Sequence, residues 1–157
     1  MSKVVAKPQT NDLYEKDFYA WTQQQARLLR ERRWDDLDLD NLVDEVESVG
    51  RSDKREIESR LEILLAHLLK WKIQPGGRGK SWIRTIFEQR RRLIGLVEES
   101  PSLREFQRKE VINSYDAARL LAARETGIAL SLIPEECPFS PEEVLALEFL
   151  PEDPASE

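Results

Sequence analysis

The chain has 157 residues, of which 40% are hydrophobic and 34% charged, and its formal net charge is −6. This length is sufficient for one hydrophobic core, and the composition is typical of a helix-rich protein with charged outer faces. The negative charge argues against a protein dedicated to nucleic-acid binding, although a local basic patch remains compatible with it.

The single cysteine, Cys137, excludes an intrachain disulfide and indicates a reducing compartment. The N-terminal segment lacks the apolar core of a signal peptide, so we expect a cytoplasmic protein. Residues 1–11 and 151–157 are expected to be flexible arms. Residues 12–150 are expected to form one helical domain between them.

The first half of the chain is predicted to contain two helices. The first is expected to start at the cap Asp12 and to end near Arg33. The second is expected to start near Asp38 or Asp40 and to continue to about Lys72. Its first turns have apolar residues at i, i+4 and i+7, which predicts a stripe facing the core: Leu42, Val46 and Val49.

The stretch Ile57–Ile73 is apolar almost all the way round a helical wheel. A helix of this kind is normally buried on all sides. It is too short, and too often interrupted by polar residues, for a typical membrane span. We therefore expect it to be the central helix, with the other helices packed around it.

A third helix is predicted after the glycine-rich loop Pro75–Gly79, from about Ser81 to Glu99. Four apolar residues on one side of this helix predict its core-facing stripe: Ile83, Phe87, Ile94 and Val97. The stripe also contains Arg90, so this arginine is expected on the core side.

A fourth helix is predicted from Ser100 to about Thr126, with Gly127 as the residue directly after its end. Its buried face is expected to consist of Val111, Tyr115, Ala118 and Ala122. A short last helix is predicted from Ser140 to about Leu147. The fold class is therefore all-α: a single-domain, mostly antiparallel bundle of about four long helices plus a short C-terminal helix.

Several stretches resemble a bacterial family of domains of unknown function, the one numbered twenty-nine. They include Asp17-Phe18-Tyr19-Ala20-Trp21, Asn41-Leu42, Glu45-Val46-Glu47-Ser48-Val49-Gly50, Leu64-Leu65-Ala66-His67-Leu68-Leu69-Lys70-Trp71, Ser81-Trp82, Arg90-Arg91, Ser100-Pro101-Ser102-Leu103 and Cys137-Pro138. The resemblance covers about residues 13–151. It implies an all-α fold, and it implies no activity.

Three polar residues are predicted to lie in the core: Glu45, His67 and Arg90. Glu45 and Arg90 occupy core-facing stripes and have opposite charges, so we expect each to have a buried partner, most simply the other. His67 could act as a general base or metal ligand, but a hydrogen-bonded core histidine is the simpler interpretation. No second histidine or paired cysteine accompanies it, so no metal or cofactor is expected, although a site made of carboxylates alone stays open.

Candidate binding residues lie around the glycine-rich loop. The segment 78–92 has six basic residues and one acidic residue, and two tryptophans flank the loop. Cations beside aromatic rings suit single-stranded nucleic acid. The candidates are Trp71, Arg78, Lys80, Trp82, Arg84 and Arg91.

Two function classes remain open. The first is a non-catalytic protein-interaction module that binds another protein or a second copy of itself, since no catalytic set of residues is visible. The alternative is a nucleic-acid or anion-binding module that uses segment 78–92. An enzyme is the third choice, because the carboxylate–histidine spacing of metal-binding helical bundles is missing.

Overall fold

The computed structural model describes residues 10–152, with side chains from residue 13 onward. The chain divides into two compact units, Met1–Arg51 and Ser52–Glu157. Of the expected arms, residues 1–9 and 153–157 lie outside the described residues, while Thr10 and Asn11 belong to the first helix and Pro151 is buried. That residues 12–150 form one domain stays a prediction.

Every regular element within residues 10–152 is helical, which confirms the all-α fold. The α-helices are α1 (Thr10–Lys16), α2 (Phe18–Arg30), α3 (Leu39–Ile73), α4 (Lys80–Glu99), α5 (Arg104–Asn113), α6 (Tyr115–Thr126) and α7 (Pro141–Leu145). Helix α3 has 35 residues and α4 has 20, and no other described helix exceeds 13. The predicted count of four long helices is therefore not confirmed in that detail.

The first unit differs from the prediction because the expected first helix is divided at Asp17. The Asp17 carboxylate accepts a hydrogen bond of 3.0 Å from the main-chain N–H of Ala20 and so caps the start of α2. Asp12 was predicted as the cap, but α1 already begins at Thr10. An aspartate is equally suited to either position, so the sequence pattern could not choose between them.

A buried polar cluster ties α2 to the start of α3. The indole N–H of Trp21 donates to the Asp38 carboxylate at 3.0 Å, and the Asp38 main-chain N–H donates to the Gln25 side-chain oxygen at 2.9 Å. All three residues are buried. A buried carboxylate needs such partners, because it loses its hydration on folding.

The second unit is built on the part of α3 that was predicted to be central. Six of its aliphatic side chains are fully buried: Ile57, Leu61, Leu64, Leu65, Leu68 and Leu69. They form one core with residues of α4, α5 and α6. The predicted face Val111, Tyr115, Ala118 and Ala122 is buried in this core, although the fourth helix is divided at Ser114 into α5 and α6. Gly127 ends α6 with φ of +72°, as a residue without Cβ can.

Arg90 is on the core side of α4, only 1% exposed, and burial lowers its pKa to about 10, which leaves it charged at neutral pH. Arg90 has buried partners other than Glu45, which is the second of the two expected arrangements. The guanidinium donates to main-chain carbonyls of the C-terminal segment: Glu143, Val144, Leu147 and Phe149. Carbonyls at the end of a helix lack partners within it, and α7 has only five residues, so the guanidinium supplies the donor for the Val144 carbonyl.

Candidate interaction surface

The first turns of α3 use their polar side for contacts inside the first unit. The Tyr14 hydroxyl donates to the Glu45 carboxylate at 2.5 Å, which raises the pKa of Tyr14 to about 12. The Asn41 side chain donates to the Asp38 carboxylate at 2.8 Å. Asn41 and Glu45 lie at i and i+4, on one side of the helix. Glu45 therefore has a partner of its own, at a partly buried position.

The aliphatic side of the same turns faces solvent. Its members are 46–71% exposed and define what we call the aliphatic face: Leu39, Val43, Val46 and Val49. The predicted core stripe is therefore wrong for Val46 and Val49, while Leu42 is half-buried. Periodicity identifies an apolar side of a helix, but it cannot tell whether the same chain covers that side.

A groove runs beside the aliphatic face, with a volume of about 470 Å³. Helix α2 contributes Leu29 and the segment before α3 contributes Leu37, while α3 supplies the rest of the lining: Leu39, Leu42, Val43, Val46 and Glu47. Six of the seven lining residues are aliphatic. Contiguous apolar surface of this kind is typical of binding grooves.

Carboxylates border the aliphatic face on one flank of α3. Asp40, Asp44 and Glu47 are all exposed there. Glu47 lies 3.5 Å from Arg51, one helical turn later, in a pair that is more than half exposed on both sides. Such a pair contributes little and is easily exchanged for another partner.

The two tryptophans of the predicted nucleic-acid site are packed against cations of their own chain. The Arg78 guanidinium lies 5.2 Å from the Trp71 ring centroid, and its Nε donates to the Trp71 carbonyl at 2.7 Å. The ammonium group of Lys70 lies 4.9 Å from the Trp82 ring centroid. One face of each ring is therefore already occupied by a cation.

The remaining candidates, Lys80, Arg84 and Arg91, are exposed on α4. The predicted core stripe of this helix is displaced in the structure, because its buried residues are Ile86, Arg90, Leu93 and Val97. Ile83 and Phe87 are instead 44% and 52% exposed, and Ile94 is half-buried. Arg84, Phe87 and Arg91 lie at i, i+3 and i+7, on one exposed side.

A partly buried ion pair near His67 was missed by the sequence analysis. Lys70 is buried, and its ammonium group lies 2.6 Å from the Glu125 carboxylate. The signal for it was a lysine inside the apolar stretch of α3, which needs a partner when buried. His67 is half-buried, and its Nδ1 lies 2.8 Å from the carbonyl oxygen of Ile63, to which it donates. Burial, with a smaller effect of Lys70, lowers the pKa of His67.

No set of three or more His, Cys, Asp or Glu side chains in the described part of the chain is arranged to hold a metal ion. Cys137 is a free, half-buried thiol that donates to the Phe139 carbonyl at 3.4 Å. Burial raises its pKa, which disfavours the reactive thiolate. Among the helices of residues 10–152, none has the length and apolarity that a membrane crossing requires.

Comparison with known proteins agrees with the resemblance noted in the sequence. Residues 13–150 match the model of one protein family, described as Domain of unknown function DUF29. No curated protein and no solved structure is similar enough to this chain to count as a match. Because the family model covers most of its length, the chain belongs to the DUF29 family.

Proposed function

We propose that the chain is a non-catalytic protein-interaction module and that it binds its partner through the aliphatic face and groove of the first unit. One observation carries the proposal. The first turns of α3 direct Asn41 and Glu45 to partners in their own unit and leave Leu39, Val43 and Val46 in solvent. A helix that served only the stability of its unit would turn its apolar side toward the unit and its polar side toward solvent.

The groove has the features of a helix-binding site. Its aliphatic lining comes from two helices and the segment between them, so a partner helix could place apolar side chains at i, i+3 and i+4 into it. The carboxylates on one flank would orient such a partner through its basic residues. The half-buried free thiol fits the expected reducing, cytoplasmic compartment.

The experiment compares proteins captured from an extract of the source cells by the immobilised full chain. The test variant carries Val43→Gln and Val46→Gln, which remove apolar surface from the groove and favour the helix slightly through the propensity of glutamine. The control is Leu120→Gln on α6, another exposed aliphatic residue in a helix. Each protein that the wild type captures is then purified, and its affinity is measured by isothermal titration calorimetry.

We expect at least one protein to bind the wild type and the Leu120→Gln control, and to lose at least about tenfold in affinity for the double variant. Circular dichroism must show equal helix content in all three proteins. If every captured protein binds the double variant as tightly as the wild type, the groove is not the binding surface.

A second candidate function is the binding of nucleic acid or another polyanion on α4. Its specific support is that Lys80, Arg84 and Arg91 are exposed and make no ion pair within residues 13–152. The packing of Trp71 and Trp82 against cations weighs against it, since these rings were the expected stacking surfaces. Titration with single-stranded oligonucleotides at several salt concentrations tests it, because phosphate contacts weaken steeply with salt.

A further inference from the structure

Two helices of this chain have exposed stripes with the same spacing and opposite charge. The acidic stripe on α3 consists of Leu39, Asp40, Val43 and Glu47. The basic stripe on α4 consists of Ile83, Arg84, Phe87 and Arg91. Both follow the positions i, i+1, i+4 and i+8, with two apolar residues and two charges of one sign in the same order.

All eight side chains face solvent. The apolar members of the two stripes are 44–62% exposed, and the charged members are also classed as exposed. Within the described part of the chain, Asp40, Arg84 and Arg91 make no ion pair, and Glu47 has only its exposed contact with Arg51. The charges are therefore available to a partner.

We propose that the acidic stripe docks on the basic stripe of a second copy of the chain. This names the partner of the aliphatic face and rests on the proposed function, since Leu39 and Val43 belong to that face. In the contact, Val43 packs on Phe87, and the two carboxylates meet the two guanidinium groups.

The spacing allows both ion pairs to form together. Asp40 and Glu47 are seven residues apart, and so are Arg84 and Arg91, which is about 10 Å along a helix axis in each case. The apolar residue lies between the two charges in both stripes. Side chains at i, i+3 and i+7 recur on one side of a helix, so two such stripes can face each other over two turns.

A second copy is the occupant that this charge complementarity favours. Each copy has both stripes, so the acidic stripe of one copy can meet the basic stripe of another copy.

Sedimentation equilibrium of the full chain, from micromolar to millimolar concentration, tests the proposal with two charge-reversal variants. One carries Asp40→Arg with Glu47→Arg, and the other carries Arg84→Glu with Arg91→Glu. The control reverses two exposed cations of α5, Arg104→Glu with Lys109→Glu. We expect the wild type and the control to self-associate, and each test variant alone to associate at least about tenfold more weakly, because like charges then face each other.

Mixing the two test variants gives the decisive result. Between the two variants, either pairing of an α3 stripe with an α4 stripe joins opposite charges again, so association should return to within about threefold of the wild type, a change of less than 1 kcal/mol. A structural defect in either variant would not be repaired by mixing. Circular dichroism of each variant checks its helix content independently.

A wild type that stays monomeric throughout the concentration range overturns the proposal, and so does a mixture that associates no better than its components. Tight oligonucleotide binding by the monomer would then assign the basic stripe to the second candidate function. Neither result affects a partner captured through Val43 and Val46, so the proposed function would stand. The proposed function fails only if the variant with Val43→Gln and Val46→Gln binds every captured partner as tightly as the wild type does.

Discussion

The Nε of Arg90 donates a hydrogen bond of 2.8 Å to the main-chain carbonyl oxygen of Val144, 54 residues further along the chain. The same guanidinium donates to three more carbonyls, of which that of Phe149 is the nearest at 2.7 Å. One buried side chain of α4 therefore holds α7 and the segment after it. Arginine suits this role because its donors are fixed in one plane and it stays charged.

Arg90→Leu should lower the free energy of unfolding by at least roughly 1–3 kcal/mol, the cost of leaving a buried carbonyl oxygen without its donor. The substitution removes the donor of the Val144, Leu147 and Phe149 carbonyls. Urea denaturation measures the change, and Arg92→Leu is the matched control because Arg92 is exposed on the same helix. Hydrogen exchange should also become faster around residues 141–149. A loss below about 1 kcal/mol would contradict this account, since exposed contacts give values of that size.

Asp38→Ala should destabilise the first unit by about 2–3 kcal/mol, because the buried Trp21 indole N–H loses a charged acceptor. The contact of Asp38 with Asn41 is lost as well. Asp40→Ala, two residues later and exposed, should change the free energy of unfolding by less than about 0.5 kcal/mol. Trp21 fluorescence during urea unfolding, with the other three tryptophans replaced by phenylalanine, follows this unit specifically. Equal stability of the two aspartate variants would show that the cluster is not formed.

The sequence predicts the parts of the fold that depend on local chemistry or on a complete apolar surface. The central stretch of α3 could be identified because it has apolar residues almost all the way round the helix. The end of α6 at Gly127 and the start of the last helix at Ser140 are confirmed, because each depends on residues a few positions apart. Ser140 and Glu143 form a capping box at that start. The buried face that contains Val111 and Ala118 is confirmed, because its residues form a single narrow stripe on the helix surface.

The sequence fails where a helix has more apolar residues than one face can bury. Helix α4 has Ile83, Ile86, Phe87, Leu93 and Ile94, which leaves two possible stripes a fraction of a turn apart. Tertiary packing chose the one containing Ile86 and Leu93. The candidate surface on α3 was missed for a related reason. The spacing of apolar residues identifies a stripe, but it does not tell whether the same chain covers that stripe. The partners of Arg90 depend on residues more than fifty positions away, beyond any local pattern.

His67 should titrate below the ordinary pKa of 6.5, because burial disfavours its charged form. At pH values between the pKa of His67 in the folded chain and 6.5, the unfolded chain binds more protons than the folded chain does. The contribution of His67 to the free energy of unfolding should therefore rise with pH in this window and stay constant above it. His67 is the single histidine, so its ring proton resonances in an untagged chain report the folded pKa directly by NMR. The difference in stability between the wild type and His67→Gln should fall as the pH falls through 6.5. A folded pKa above 6.5 would reverse the sign of this dependence.

Val46→Ala should leave the free energy of unfolding unchanged within about 0.5 kcal/mol, because Val46 is 71% exposed and has little packing to lose. Alanine also favours the helix more than valine does, which offsets the small loss of apolar contact. Leu64→Ala, in the fully buried part of the same helix, should cost about 2–5 kcal/mol. Urea denaturation of the two variants at a protein concentration low enough to avoid self-association separates the two kinds of position. If Val46→Ala costs more than about 1 kcal/mol under these conditions, Val46 is buried in the folded monomer. Val46 would then belong to the core, as the spacing of Leu42, Val46 and Val49 had predicted, and the aliphatic face could not be the surface that binds a partner.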